Sequence, residues 1–231
     1  MEKRVTKINR NFLKFPAGSV LIETGNTKVI CAVSVEEFVP PFIKAAEQGW
    51  LTAEYAMMPG SSKPRARREV SRGKVSGRTA EIQRLIGRSL RAVVDLQKIP
   101  GYTIKIDCDV MQADGGTRTA AITGACVALH DAFSYMIKED MIQESPLNSL
   151  MAAISVGLVD DHLVLDLDYD NDSKAQVDMN VVMTEHGDII EVQGTAEGKT
   201  FSRTQLNEML DLAEAGIKEL ISVQRAALEL I

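Results

Sequence analysis

Apolar and polar positions alternate along short runs of this chain, give way to a spacing of three and four, and then repeat that change of period once more. Residues 1–11 alternate weakly and predict a first strand. In 18–24, Val20 and Ile22 share a face, Gly25-Asn26 is a turn pair, and Val29, Cys31, Val33 and Val35 line one side of 27–36, so the stretch predicts a hairpin. Residues 37–49 carry Pro40-Pro41 and little periodicity, as an irregular connection does, and 51–58 is a further short strand stopped by Pro59-Gly60. Over 78–96, Ile82, Leu85, Ile86, Leu90, Val93 and Val94 recur at three and four, the spacing of an amphipathic helix. Alternation returns in 102–111, and an alanine-rich helical pattern follows from Thr119 to Ile137.

The second half has the same order. Residues 138–148 are polar, contain Pro146 and mark the expected boundary between two units, 1–140 and 147–231. Residues 150–159 are almost continuously apolar, Asp160-Asp161 is a turn, and 162–169 alternate with Leu163, Leu165 and Leu167 on one face. A strand at 176–184, a turn at 185–188 and a partner strand at 189–195 lead into a long helical pattern, 204–230, with Leu206, Met209, Leu210, Ala213, Ile217, Leu220 and Ile221 in its apolar stripe. Strands first and helices last, twice over, predict an α+β architecture of helices packed on mixed sheets, built from two related units.

Composition narrows the function classes. A chain of 231 residues, 45% hydrophobic and 25% charged, is ordinary globular material with enough length for a self-sufficient core. A membrane span and a charged-then-apolar leader are both missing from the pattern, so the expected protein is cytoplasmic and makes no membrane contact. Cys31, Cys108 and Cys126 are odd in number and lie in apolar runs, as reduced core residues do, and His130, His162 and His186 lack metal-ligand spacing. The net charge of −6 hides a strong polarity: between Gly60 and Arg91 there are ten Lys and Arg against Glu69 and Glu81, leaving 16 basic and 30 acidic residues elsewhere. A local basic stripe on an acidic body attracts polyanions. It consists of an exposed loop, 61–77, and the polar face of the following helix, where Arg84, Arg88 and Arg91 are expected to face a polyanion.

The candidate chemistry centres on Asp114-Gly115-Gly116-Thr117-Arg118-Thr119, where strand gives way to helix. Two glycines permit a tight turn, the first helix amides then lack intrahelical partners, and the helix dipole favours an anion in front of them. Arg118 adds a planar fork of donors and Thr117 a hydroxyl, so the stretch reads as a phosphate cradle. Arg78 stands at a helix start, a poor place for a cation unless an anion is held there. Among the aspartates of 160–178, Asp166, Asp168 and Asp170 share strand parity and are expected on a solvated face, whereas Asp172 and Asp178 are candidates for a Mg2+ or Mn2+ site.

The strings QGWLTAEYAMMP, GRTAEIQRLIGRSLRAVVDL, IDCDVMQADGGTRTAAITGACVAL and VDMNVVMTEHGDIIEVQGTAEG resemble the ribonuclease PH family, phosphate-dependent 3'-to-5' exoribonucleases that trim tRNA precursors, and the likeness runs from Arg4 to the final helix. It implies two βαβα-type units of the ribosomal protein S5 domain 2-like class, assembled as a homohexamer, a trimer of dimers. It also implies attack by inorganic phosphate on the terminal phosphodiester, releasing nucleoside diphosphates, with nucleotide addition as the reverse. Matched residue by residue, the resemblance makes Arg78, Gly116, Thr117 and Arg118 phosphate-binding, Asp172 and Asp178 catalytic and metal-binding, and Arg65 and Arg68 contacts to RNA or a neighbouring subunit, with Arg72 of the same loop added as an RNA contact. The chain departs from the pattern in that Met1 falls past the usual Arg-rich leader and Gly60 replaces an arginine, changes expected to weaken tRNA binding or subunit contacts and to spare the phosphate site. The alternative is a catalytically silent RNA-binding ring subunit, which has no need of the paired aspartates.

Overall fold

The structure is a computed structural model that describes residues 3–69, 71, 73–197 and 199–230. Its first sheet contains β1 (Thr6–Arg10), β2 (Gly18–Thr24), β3 (Thr27–Glu36), β4 (Trp50–Met57) and β5 (Thr103–Gln112), in the spatial order β1-β2-β3-β5-β4. The β2–β3 hairpin turns at Gly25, and β3 then pairs antiparallel with β5, placing Cys31 opposite Cys108. Strand β4 runs parallel to β5, so the chain between them must cross over, and α1 (Gly77–Arg91) makes that crossing and packs on β4. Its apolar stripe Ile82, Leu85, Ile86 and Leu90 is fully buried there.

The second sheet contains β6 (Met151–Val159), β7 (His162–Leu165), β8 (Val177–Thr184) and β9 (Ile189–Ala196) in the order β7-β6-β8-β9, antiparallel at every junction. Between the sheets lies α2 (Thr117–Lys138), which touches β2 and β3 on one side and β6 on the other. A helix enclosed on both sides has no polar face to spare, which is why its pattern is alanine-rich and apolar nearly all round. By length and composition it could cross a membrane, but 78% of that stretch is buried inside the protein, as a core helix is. The final helix, α4 (Arg203–Leu228), begins in a capping box between Ser202 and Gln205 and lays Met209, Ala213, Ile217, Leu220 and Ile221 against β6 and its neighbours. One continuous apolar core joins α2, both sheets, α1 and α4. Cys31, Cys108 and Cys126 are all free thiols within it.

Residues 162–169 do not form the continuous alternating strand that the leucines suggest. β7 ends at Leu165, Asp166 adopts a φ of 60°, and a single helical turn, α3 (Tyr169–Asp172), follows with Asp168 as its cap, the carboxylate accepting from Asn171 N at 2.9 Å. The expected solvated face of Asp166, Asp168 and Asp170 is therefore absent: Asp170 alone of the three is exposed, and Asp166 is 8% exposed and ion-paired to Arg4. Strand parity fails once a residue takes a left-handed backbone, because the side chains beyond it no longer alternate across one sheet.

Candidate active site

The loop between β5 and α2 brings the helix start to the surface. Gly115 and Gly116 have φ values of 75° and 64°, so both need the freedom of glycine, and a Cβ on Gly115 would stand 2.6 Å from the Leu167 carbonyl oxygen. Helix α2 starts at Thr117, two residues earlier than its alanines suggest, with Gly116 as a cap that has no side chain to offer. Its first intrahelical bond runs from Ala120 N to Gly116 O at 3.0 Å, so the amides before Ala120 keep their donors for an anion. The loop is held from behind by Thr27, whose hydroxyl donates to Gly115 O at 2.7 Å and accepts from Asp114 N at 3.0 Å.

Six residues predicted from sequence meet in one cleft of about 370 Å³: Arg78, Gly116, Thr117, Arg118, Asp172 and Asp178. Arg118 is oriented rather than free. It donates from Nη1 to Gln193 Oε1 on β9 at 2.9 Å, lies 3.6 Å from Glu81 Oε1 of α1, and Gln193 in turn donates to Glu81 at 2.5 Å. The Thr117 hydroxyl is shared with Tyr55 at 2.8 Å. Burial pushes the Tyr55 hydroxyl up, while that bond and the charges of Arg78 and Arg118 pull it back. Arg78 is the second residue of α1 and is exposed. Its local conflict is met in part by Glu69, whose carboxylate accepts from Ser76 N at 3.2 Å and from the Thr79 hydroxyl at 2.8 Å and so supplies negative charge at the helix start.

Across the cleft, Asp178 is the second residue of β8 and Asp172 the last of α3. Partial burial raises Asp172, against the opposing pull of Arg78 and Arg118. Burial, followed by repulsion from Asp172, raises Asp178 to about 6. A carboxylate raised by its carboxylate neighbour is stabilised by a cation held between the two. Among the described residues no cluster of three or more His, Cys, Asp or Glu side chains suited to a metal is found. The pair fits Mg2+, which often takes one or two carboxylates and fills its remaining positions with water and phosphate oxygens, better than a metal that needs a protein cage.

The cleft has further walls that sequence reasoning missed. Ser62, Ser155, Tyr169 and Asn180 line it. Asn180 follows Asp178 by two on the same strand, so strand period was a usable signal for it; Gln193, Glu81 and Tyr55 act through contacts between distant segments and leave no local trace. The basic loop continues the cleft outward. Arg67, Arg68 and Arg78 share a neighbouring hollow of about 210 Å³, and exposed Arg65, Arg67 and Arg68 line another beyond it. Arg72 lies outside the described residues. The arginine face of α1 differs from the expectation in part: Arg84 and Arg88 are exposed, Arg88 in an ion pair with Glu191, whereas Arg91 donates to Leu51 O at 2.9 Å and lies over the Trp50 ring at 4.8 Å, held against the fold.

Comparison with known proteins gives consistent likenesses. The model of the 3' exoribonuclease family, domain 1, matches residues 2–134, and that of the 3' exoribonuclease family, domain 2, matches residues 149–216. A curated relative, Ribonuclease PH of Corynebacterium glutamicum (strain R), is 59% identical over 227 residues, covering 98% of this chain and 93% of its own. Among solved structures, Rrp46 of rice (Oryza sativa) is similar with a TM-score of 0.80 at 19% identity, covering 98% of this chain and 96% of that one. An Archaeoglobus fulgidus exosome chain, from a structure with RNA bound to the active site, is similar with a TM-score of 0.81 at 19% identity, covering 96% and 88%. These two structural likenesses carry the fold alone: two units of the ribosomal protein S5 domain 2-like class, α+β, with sheets packed against helices.

Proposed function

The chain belongs to the 3' exoribonuclease family, as a member of the ribonuclease PH kind, and we propose that the cleft between the start of α2 and the start of β8 is its phosphorolytic centre. Its activity is that of a phosphate-dependent 3'-to-5' exoribonuclease: it trims the 3' ends of tRNA precursors, uses inorganic phosphate as co-substrate, releases nucleoside diphosphates and runs in reverse as a nucleotidyltransferase. The observation that carries the site assignment is the meeting of two arginines, a helix start without a side-chain cap and the aspartates Asp172 and Asp178 in one cleft.

In this reading Arg78, Arg118, the Thr117 hydroxyl and the amides from Gly116 hold the attacking phosphate. The arginines offset the repulsion between that phosphate and the RNA phosphodiester, and Gln193 and Glu81 aim Arg118. An oxygen of the phosphate forms a bond to the phosphorus of the terminal nucleotide, and the bond to the preceding 3'-oxygen breaks. The electron pair leaves on that oxygen, which takes up the proton the attacking phosphate gives up. Asp172 and Asp178 would hold Mg2+, or Mn2+, which when bound supplies charge neutralisation at the phosphates. Arg65 and Arg68 extend a cationic track outward and, with Arg72 of the same loop, are assigned to grip the RNA backbone in a salt-dependent, largely sequence-independent way. We assign residues 1–140 and 147–231 to the two units, the first carrying the phosphate loop and the second the aspartates, and take the working form as a cytoplasmic homohexamer, a trimer of dimers. A silent RNA-binding ring subunit would have no use for Asp172 and Asp178.

The reverse reaction tests this without added phosphate. Given a nucleoside diphosphate, a short RNA primer and Mg2+, the protein extends the primer and releases one inorganic phosphate per nucleotide added. Primer that is bound but never extended would count for the silent subunit.

A further inference from the structure

Arg4 lies far from the cleft in sequence, yet its backbone amide and guanidinium make five hydrogen bonds directly behind the phosphate loop. Its backbone amide and Nε both donate to Asp166 Oδ2 at 3.0 Å, and Nη2 donates to Asp166 Oδ1 at 2.6 Å. The same guanidinium then reaches two backbone carbonyls: Nη1 donates to Asp114 O at 2.5 Å and Nη2 to Leu167 O at 3.3 Å. The side chains are 16% and 5% exposed, so the pair is largely withdrawn from solvent screening. A Cβ on Gly116 would stand 3.1 Å from Arg4 Nη2, which places the cation against the loop itself.

What the two ends of this contact carry gives it meaning. Asp114 leads into Gly115 and Gly116, the turn that presents the α2 amides. Asp166 and Leu167 lead into Asp168, the cap of α3, and α3 ends in Asp172. One guanidinium thus ties the phosphate-binding loop from the first half of the chain to the corner that carries an aspartate of the second. Asp166 holds its φ of 60° there, a backbone state that non-glycine residues adopt only where surrounding contacts fix it.

We propose that Arg4, clasped by Asp166, is a positioning residue that sets the distance between the phosphate-binding loop and the Asp172 corner; this rests on the reading of the cleft given above. Only a planar fork reaches a carboxylate and two carbonyls together. A lysine keeps the charge beside Asp166 but has a single ammonium, so it satisfies the ion pair and releases the loop.

The test uses Arg4→Lys and, as a second variant, Asp166→Asn in the full-length protein. Both are compared with the unchanged protein for thermal midpoint with and without inorganic phosphate, for kcat and the phosphate KM in phosphorolysis, and for RNA binding. The expected result is a folded Arg4→Lys protein that binds RNA normally, shows a smaller phosphate-induced rise in thermal midpoint, and has a phosphate KM about tenfold higher with a lower kcat, since small misplacements of reacting groups cost on that scale. A lowered thermal midpoint with unchanged phosphate shift, KM and kcat would overturn the positioning role and leave a purely structural ion pair. Failure of both variants to fold would overturn it equally. If the unchanged protein is stabilised by phosphate yet releases no diphosphate, the catalytic reading of the cleft fails, and the clasp is then judged by the phosphate shift alone.

Discussion

Asp178→Asn abolishes phosphorolysis, with at least about a thousandfold loss of kcat, on the scale of losing a group that stabilises transition-state charge. RNA binding in the same variant is expected to stay close to that of the unchanged protein, because the basic loop proposed to carry it lines a hollow of its own. Gel-based turnover and filter binding on one short RNA separate the two effects, and an equal loss of both would contradict the assigned role. The substitution also shifts stability in a direction that depends on pH. Burial and Asp172 raise Asp178 from its ordinary value of 3.8 to about 6 in the folded protein. The stability this contributes is complete below about pH 4 and is lost as pH rises through about 6. Without the carboxylate the variant is therefore more stable than the unchanged protein at pH 8, by about 1–2 kcal/mol after allowing for partial solvent screening, and the two converge toward pH 4. Thermal melts in metal-free buffer across that range check it; a variant that is less stable at pH 8 would show that Asp178 is not held in a repulsive site.

Arg118→Ala has the second largest effect. The side chain faces the cleft, is fixed by Gln193 and Glu81, and adds its charge to the N-terminus of α2. Its removal takes away a preorganised donor aimed at the phosphate, and the expected fall in kcat/KM for phosphate is about a hundredfold to a thousandfold. Glu81 and Gln193 are then left with an unbalanced charge in a half-buried place, so some loss of thermal stability accompanies it. Initial rates at varied phosphate and saturating RNA measure the effect. A tenfold or smaller change, with the RNA KM raised instead, would move Arg118 from the phosphate to the RNA track.

Much of this arrangement was legible in the sequence because the signals were local. The period of apolar positions gave β2, β3, β5 and β8 within a residue or two, and the Gly115-Gly116 pair announced the uncapped start of α2. Asp178 could be read because it precedes an apolar run on one rigid strand. What stayed hidden depends on contacts between distant segments. Asp166 looked like a solvated strand residue because its alternation with Leu165 and Leu167 fits a strand, and only Arg4, 162 positions away, reveals why the backbone turns left-handed there. Arg88 and Arg91 looked like one row of free cations because helical period sorts residues onto faces without saying what they pair with; Glu191 pairs with Arg88, and Arg91 lies on Trp50. Gln193 was invisible for the same reason, since its role exists only through Arg118.

The central claim is that the cleft formed by Arg78, the Gly116 to Arg118 loop, Asp172 and Asp178 carries out phosphorolysis. The most direct measurement is product analysis on a short 3'-tailed RNA with Mg2+, in the presence and absence of inorganic phosphate. Nucleoside diphosphates that appear only with phosphate, one per nucleotide removed, are the predicted result. Nucleoside monophosphates, or the same products with phosphate left out, would contradict it, because water rather than the phosphate held in this cleft would then be the nucleophile.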